Sequence, residues 1–442
     1  MTYLPNIIFS ILFFIASSVF VKNIKKLYRN IDLGLPIDRS DRKKERWFKM
    51  IKIAFGQSKM IDKPIVGLLH LIVYLGFLII NIELIEILVD GFAGTHRIFA
   101  PFLGSFYNFL IASFEVFAIL VLASVIIFLA RRNILNIKRF MSSEMKGWPK
   151  NDANIILYAE IILMSLFLTM NGADYWLQLN SNDPTYIEAG AFPVSQFLLP
   201  LFNDLSVEKV IIIERTAWWL HIIGIFLFLN YLYYSKHLHI LLAFPNTYFS
   251  NLDSLGKFSN LKSVTKEVQM MIDPSIDPYS LESNNADISK FGASDVFDLT
   301  KIQLLNSYTC TECGRCTNEC PANITGKKLS PRKIMMDTRD RLEEVGRNID
   351  NNKGKFKPDG KELLNNRITT EELWACTSCN ACVEACPIGI DPLSIILDMR
   401  RYLVMEKSDA PSEINSMMSN IENNGAPWPF NQMDKLNWKN EL

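Results

Sequence analysis

Apolar residues are concentrated in the first half of the chain, in five long stretches. A helix that crosses a membrane needs about 20 mostly apolar residues to span a hydrocarbon core about 30 Å thick. Five segments before residue 240 satisfy this requirement, and no comparable segment follows Phe244. The pattern predicts an all-α fold: a five-helix transmembrane bundle over residues 1–244, followed by a polar half. The predicted spans are approximately 4–21, 65–89, 106–130, 155–170 and 210–234.

The charges between the spans predict an orientation. The connections at 22–63 and 131–153 carry thirteen and six Lys or Arg residues, whereas those at 91–105 and 173–209 carry one each. Basic loops stay on the cytoplasmic side of a membrane. No basic residue precedes the first span (MTYLPNII), so we expect a retained helix rather than a cleaved signal peptide. We therefore expect a bacterial inner-membrane protein with its N-terminus outside and its polar half in the cytoplasm.

The net charge hides this asymmetry. The 442 residues include 46 basic and 46 acidic side chains, which gives a formal net charge of zero. The balance argues against a general nucleic-acid binder, since such proteins usually carry a basic excess. The net charge is zero because the excess of basic residues in the inner loops is balanced by acidic residues spread over the polar half.

All eight cysteines lie in two runs of the polar half, CTECGRCTNECP and CTSCNACVEACP. Each run reads C-x2-C-x2-C-x3-C-P, the pattern that ligates [4Fe–4S] clusters, in which the fourth cysteine binds the other cluster. A disulfide framework would need an oxidising compartment, and zinc favours isolated C-x2-C pairs. We therefore predict two [4Fe–4S] clusters. Their ligand sets are Cys310, Cys313 and Cys316 with Cys386, and Cys376, Cys379 and Cys382 with Cys320.

The spacer between the two runs is long, charged and favourable to helices, which indicates a helical rather than a small β-rich ferredoxin. The line WACTSCNACVEACPIGIDP resembles the helical ferredoxin module in the iron–sulfur subunit of heterodisulfide reductase, and the module is similar to that of succinate dehydrogenase iron–sulfur subunits. This resemblance implies a cytoplasmic helical two-[4Fe–4S] domain, which we place at 301–405. Trp374 and Ile388 are expected to pack near the clusters.

The five histidines lie in or beside the membrane half. Ionisable side chains within membrane spans are costly and usually functional, so they are either hydrogen-bonded bridges between helices or axial ligands of haem. On one continuous helix, His221 and His239 would share a face about 27 Å apart, because 18 residues make five turns. His70 has the depth to pair with His239. His221 then needs a second partner, for which His96 in an outer loop is the candidate.

The segments GLLHLIVYLGF and LHIIGIFLFLNYLYYSKHLHI resemble the membrane cytochrome of respiratory nitrate reductase and the related membrane cytochrome of heterodisulfide reductase. That resemblance implies two b haems ligated from helices two and five, with His70, His221 and His239 at matching positions. Ile80 stands where the family has its other helix-two histidine. Two alternatives follow: His96 replaces that ligand, or one haem binds. His237 is an alternative to His239 at the inner haem.

Acidic residues in the membrane half suggest quinone chemistry. Glu83, Glu86 and Asp90 form one stripe at helical spacing on the second span. Such acids either handle protons or lie at the membrane interface. We expect a menaquinol/quinone pocket towards the outside, with Glu83 and Glu86 handling protons and Glu86, His96 and Arg215 as polar contacts.

The rest of the chain carries no substrate-level active site. There is no G-x-G-x-x-G opening a helix, no P-loop, and no CCG pair of the kind found in the special-cluster protein of heterodisulfide reductase. Residues 245–300 are a predicted linker, and the aromatic tail 406–442 is either packed core or a docking segment. We therefore expect no catalytic residue but an electron-transfer role within a larger complex.

The substrate chemistry is then expected in a cytoplasmic oxidoreductase partner. By the resemblance, this partner is either similar to the CCG-bearing protein of heterodisulfide reductase or a flavin-bearing iron–sulfur oxidoreductase. The direction of electron flow stays open. The competing interpretation is a redox-linked membrane anchor or sensor that carries the clusters without haem or quinone reactivity.

Overall fold

The computed structural model describes residues 3–135, 137–273, 275 and 290–440. The described residues form helices and no strand, with only two isolated β-bridges, so the all-α prediction is confirmed. In the first half the helices are α1 (Leu4–Asp32), α2 (Lys43–Met50), α3 (Pro64–Ala93), α4 (Ala100–Leu103), α5 (Ser105–Asn133), α6 (Trp148–Asn180), α7 (Val207–Tyr231), α8 (His239–Tyr248) and α9 (Lys262–Ile272).

The second half consists of shorter helices around the two cysteine runs. They are α10 (Lys301–Thr309), α11 (Arg315–Asn318), α12 (Pro321–Ile324), α13 (Pro331–Asn351), α14 (Thr370–Trp374), α15 (Ala381–Glu384), α16 (Pro392–Met405) and α17 (Ser412–Asn424). The core lies between α10, α13 and α16, where Leu304, Ile334 and Ile396 are fully buried.

Five helices are long and apolar enough to cross a membrane: α1, α3, α5, α6 and α7 with its following turn, which together cover the five predicted spans. α1 packs against α3 and α7, α3 against α5, α5 against α6 and α6 against α7, so the five helices close into a ring. Few residues in the first half of α3 are buried. Over residues 65–82 only Gly67 and Gly76 are buried, and His70 lies in this stretch.

The helix α1 is longer than the membrane requires. Its 29 residues extend about 44 Å at 1.5 Å per residue. The last turns carry Lys26 and Arg29, which both pair with Asp350 of α13 at 2.7 and 2.5 Å. Asn30 is buried in the same contact. The cysteine-bearing half therefore packs directly on the end of the first membrane helix.

The fifth span does not continue to His239 as one helix. A 3₁₀ turn follows α7, Ser235 is extended (φ −112°, ψ 146°), and a second 3₁₀ turn, Lys236–Leu238, precedes α8. Asp152 of α6 stabilises this break, because it accepts hydrogen bonds from the Tyr231 hydroxyl (2.6 Å) and the Lys236 backbone N–H (3.1 Å). The expectation that His221 and His239 share one helical face is therefore wrong.

The predicted linker is partly built into the fold. The boundary at 244/245 falls inside α8, which packs against α10. At its other end, Val296 and Leu299 are fully buried in the core of the second half. The positions 274 and 276–289 of this predicted linker lie outside the described residues.

Candidate redox site

The two cysteine runs adopt the same local conformation. In each C-x-x-C-x segment the residue before the second cysteine and the residue after it have positive φ: 55° at Glu312 and 73° at Gly314, 56° at Ser378 and 61° at Asn380. A single helical turn, α11 or α15, then carries the third cysteine. Left-handed residues reverse the chain sharply, so each loop curls around its own three thiols.

The structure brings the two cysteine runs together. One cavity is lined by all four cysteines of the first predicted set and by Cys382 of the second. In the second set, Cys376, Cys320 and Cys379 all lie within electrostatic range of Cys382. The predicted sets are given by the sequence order of the runs, and the fold places the fourth cysteine of each run beside the other run.

The chemistry of these thiols fits iron–sulfur ligation. Burial raises the pKa of Cys310 to about 12 and that of Cys386 to about 11, so these groups need bound iron to remain thiolates. Backbone N–H groups already point at two sulfurs, from Ser378 to Cys376 (3.4 Å) and from Ile390 to Cys386 (3.3 Å). Among the described residues no three Cys, His, Asp or Glu side chains converge on a position for a single metal ion. A cubane separates its thiolates further, because each binds a different iron.

Three histidines lie beside the first cysteine set. The rings of His237 and His239 are 5.7 Å apart and perpendicular. His70 lies within electrostatic range of both of them and of Arg315, the residue before Cys316. Arg315 in turn donates to the Lys59 carbonyl at 2.8 Å, in the segment that leads into α3. The fold therefore places the inner histidines next to the loop of the first set.

The inner histidines fit a haem ligand pair. The Nδ1–H of His239 donates to the Lys236 carbonyl at 3.0 Å, which leaves its Nε2 lone pair free. Burial lowers the pKa of His239, and that of His237 to about 3, so both rings are neutral, as iron ligation requires. His70 carries a buried ring nitrogen, Nδ1, without a hydrogen-bond partner. These features are compatible with one haem between α3 and the start of α8.

The outer histidines do not form a second pair. His221 is buried and donates from Nδ1 to the Leu163 carbonyl (3.1 Å), so its Nε2 is free. Both nitrogens of His96 are engaged: Nε2–H donates to Asp174 (3.0 Å), and Nδ1 accepts from Arg215 (3.3 Å). Leu163 and Asp174 are eleven residues apart on α6, about 16 Å along the axis. This geometry argues against the expectation that His96 completes an outer haem site with His221.

Residues 309–390 match the family model of the 4Fe–4S dicluster domain. We call this part of the chain the dicluster domain. The match covers both cysteine runs and confirms the predicted iron–sulfur clusters.

Curated relatives extend the likeness over most of the chain. It is 28% identical to the probable iron–sulfur-binding oxidoreductase FadF of Bacillus subtilis, over 96% of this chain and 59% of the relative. It is 27% identical to the EtfAB:quinone oxidoreductase of Syntrophomonas wolfei, over 92% of this chain and 55% of the relative. The chain thus spans somewhat more than half the length of these relatives. No solved structure matches it.

The dicluster domain has its own relatives. A CoB–CoM heterodisulfide reductase subunit of Methanosarcina acetivorans is 30% identical over 26% of this chain and 56% of the relative. The resemblance to the iron–sulfur subunit of heterodisulfide reductase, which the second cysteine run predicts, is therefore confirmed.

A buried polar cluster lies at the opposite end of the bundle from the dicluster domain. Arg97 donates to Asp174 (2.6 Å), to the Tyr107 hydroxyl (3.0 Å) and to Asn171 (3.2 Å). Glu86 accepts from that hydroxyl (2.8 Å) and from a backbone N–H (2.9 Å). Sequence reasoning missed Arg97, Asp174 and Tyr107 as members of this cluster. The sequence signal that could have revealed the cluster is the pair Asn171 and Asp174, two polar residues three positions apart in the otherwise apolar α6.

The predicted quinone residues lie in or beside this cluster. Glu83 is buried, within electrostatic range of Arg97 and Glu86, and its Oε2 has no hydrogen-bond partner. Arg215 pairs with Glu214 and also contacts His96. Of the two predicted proton carriers, Glu83 has a buried oxygen without a hydrogen-bond partner. Glu86, in contrast, accepts hydrogen bonds from the Tyr107 hydroxyl and a backbone N–H.

Proposed function

We propose that this chain is the membrane-bound electron-transfer component of an oxidoreductase complex. It passes electrons between a quinone of the menaquinone class, haem b and two [4Fe–4S] clusters, to or from a cytoplasmic oxidoreductase. The observation that carries the proposal is that His70 lies within electrostatic range of Arg315 in the first cysteine loop, while Lys236, the residue before His237, pairs with Glu312 of the same loop. Electron carriers that exchange electrons have to be close, and this arrangement supports direct contact between the haem and the first cluster.

The proposed order of carriers follows burial. His239 and His70 hold the inner haem, with His237 as the alternative to His239. The first cluster, on Cys310, Cys313, Cys316 and Cys386, lies next to it. The second, on Cys376, Cys379, Cys382 and Cys320, lies nearer the surface, because Cys379 is the one exposed cysteine of the eight. The second cluster is then the point of exchange with the partner.

The proposed orientation places the dicluster domain in the cytoplasm of a bacterial cell, with the N-terminus outside. Both strongly basic connections contact that domain. Arg332 of the domain pairs with Glu144 at 2.7 Å, and Lys59 donates to the Glu384 carbonyl at 2.8 Å. Basic connections and dicluster domain therefore share one side, which the positive-inside tendency assigns to the cytoplasm.

The proposed quinone site lies at the opposite end of the bundle, where the outer histidine and acids cluster. Oxidation of a quinol releases two electrons and two protons, so the site needs a proton acceptor. Glu83 is our candidate acceptor, because its buried oxygen lacks a partner, and Arg215, partly exposed beside His96, is the candidate polar contact. Glu86 supports this site by fixing Tyr107. The name of the Syntrophomonas relative supports quinone as a substrate.

The partner is proposed to dock on the tail at 406–442. No residue of α17 is buried, and Trp428, Phe430 and Trp438 are exposed. Large exposed apolar patches mark interaction sites. The partner classes that the resemblance implies are a protein similar to the CCG-bearing component of heterodisulfide reductase and a flavin-bearing iron–sulfur oxidoreductase.

Iron and haem content of the purified chain test the proposal. We expect about eight cluster irons per chain, from two cubanes, and one haem b. Cys379→Ser is expected to lose one cluster and keep the other, and His96→Ala is expected to keep the haem. The competing function, a redox-linked anchor, gives the same clusters but no b-type α-band in a reduced-minus-oxidised spectrum.

A further inference from the structure

Trp374 ends α14, two residues before Cys376, and its indole nitrogen Nε1 is buried without a hydrogen-bond partner in the described part of the chain. A buried indole N–H usually finds an acceptor. Leaving such a donor unsatisfied costs about 1–3 kcal/mol. The orphaned donor beside a proposed cluster ligand therefore points to an acceptor that belongs to the cluster itself.

The face of the same ring is covered by a cation. The guanidinium carbon of Arg400, on α16, lies 5.0 Å from the centre of a Trp374 ring. Arg400 is held in place because it donates to the carbonyls of Leu373 (2.6 Å) and Cys376. It also lies within electrostatic range of the Cys376 sulfur. The second cysteine set thus has a fixed positive charge and a free N–H donor on the same side.

The first cysteine set has no free N–H donor at the matching position. The residue two before Cys310 is Tyr308, whose hydroxyl already donates to Glu343 (2.6 Å) and accepts from Asn30 (2.9 Å). Glu312, at the position that matches Ser378, is a buried carboxylate whose charge is paired with Lys236 and Arg339. The two loops share a backbone conformation, and cations lie within electrostatic range of both sets, with Arg139 and Arg339 at the first. The unsatisfied indole N–H is therefore the feature that distinguishes the second set.

We propose that the indole N–H of Trp374 donates a hydrogen bond to a sulfur of the second cluster and, with Arg400, makes that cluster more easily reduced than it would be without this donor. Reduction adds one electron and increases the negative charge on the cluster sulfurs, which N–H donors and nearby cations stabilise. The inference rests on the ligand sets of the proposed function. A more positive potential of the second cluster increases the driving force for electron transfer to it from the first cluster.

A redox titration followed by electron paramagnetic resonance tests this role. In Trp374→Phe, which keeps a ring under Arg400 but has no N–H, we expect the midpoint potential of the second cluster to become more negative. The second cluster is identified as the signal that Cys379→Ser abolishes. The first cluster is expected to keep its potential, and Trp148→Phe, at an exposed tryptophan outside the dicluster domain, serves as the matched control. An unchanged second potential in a Trp374→Phe protein with both clusters overturns the inference.

A measurement on the unaltered chain covers the case in which Trp374→Phe fails to fold. In protein labelled with ¹⁵N at the indole nitrogen, pulsed resonance is expected to show a nitrogen and an exchangeable proton coupled to the second cluster. Absence of the nitrogen coupling overturns the inference. An iron content of about four per chain, in place of eight, would instead overturn the proposed ligand sets.

Discussion

Asn30, in the last turn of α1, donates a hydrogen bond of 2.9 Å to the hydroxyl of Tyr308, two residues before the first cluster cysteine. Asn30 is 1% exposed, and the Tyr308 hydroxyl in turn donates a hydrogen bond of 2.6 Å to Glu343. A side chain of the first membrane helix is thus part of the core of the dicluster domain. The membrane bundle and the cluster loops are held in register by this contact.

Replacement of Asn30 by Leu is expected to destabilise the dicluster domain. The substitution removes a buried hydrogen bond and leaves the Tyr308 hydroxyl without its donor, which costs about 1–3 kcal/mol. Thermal unfolding followed at the cluster absorbance measures the effect. Asn133→Leu, at an exposed asparagine pair with Asn154, is the matched control and should unfold at the temperature of the unaltered chain.

Gly346 of α13 is expected to be intolerant of a side chain because Asn30 occupies the space. A Cβ at Gly346 would lie 2.5 Å from Asn30 Nδ2 and 2.7 Å from Oδ1. We predict that Gly346→Ala lowers the free energy of unfolding and that its cost shrinks in an Asn30→Ala background. Contacting residues give such non-additive effects, of about 0.5–3 kcal/mol. Additive effects of the two substitutions would show that they do not meet.

Glu312 joins the dicluster domain to the segment before α8. Although burial raises the pKa of this carboxyl, Arg339 and Lys236 lower it below its ordinary value overall. The Arg339 contact is 2.8 Å, and Lys236 contacts the other carboxylate oxygen. Breaking a buried ion pair from one side costs about 3–5 kcal/mol, so we expect Glu312→Gln to lower the unfolding temperature markedly.

The control for this prediction is a solvent-exposed ion pair on the surface of the protein. Lys328 and Glu371, also in the dicluster domain, are 68% and 62% exposed. Exposed pairs contribute about 0–1 kcal/mol, so Glu371→Gln should leave the unfolding temperature nearly unchanged. Equal effects of the two substitutions would contradict the importance of the buried pair.

Asp350 gives the contact between α1 and α13 a pH dependence. Partial burial raises its pKa, but Lys26 and Arg29 outweigh this effect and hold the pKa below its ordinary value. A carboxyl with a lowered pKa stabilises the fold above its unfolded pKa, about 3.9, and this stabilisation is lost as the pH falls through the folded value. Asp350→Asn should therefore reduce stability at pH 6, and this loss should shrink as the pH is lowered towards 2. An equal loss at both values would show that the charge is not responsible.

Much of this architecture was predictable from the sequence. Twenty apolar residues in a row have few alternatives to a membrane helix, so all five spans were found, and the cysteine spacing identified the dicluster domain. The sequence did not predict that α1 continues beyond residue 21, because residues 22–32 are mostly polar. In the structure this end of α1 packs against α13. The break after Tyr231 depends on Asp152, which is 79 residues away. Likewise, His96 contacts Asp174 and Arg215, which are 78 and 119 positions away along the chain. No local sequence pattern shows such contacts.

The central claim is that inner histidines connect the membrane carriers to the first cluster, and quinol-driven reduction of the clusters tests it most directly. In lipid nanodiscs, a menaquinol analogue should produce a b-type α-band and reduced-cluster resonance in the unaltered chain. In His239→Ala we predict loss of the α-band and of quinol-driven cluster reduction, while dithionite still reduces both clusters. Cluster reduction by quinol at an unchanged rate in a His239→Ala protein that lacks haem would contradict the account.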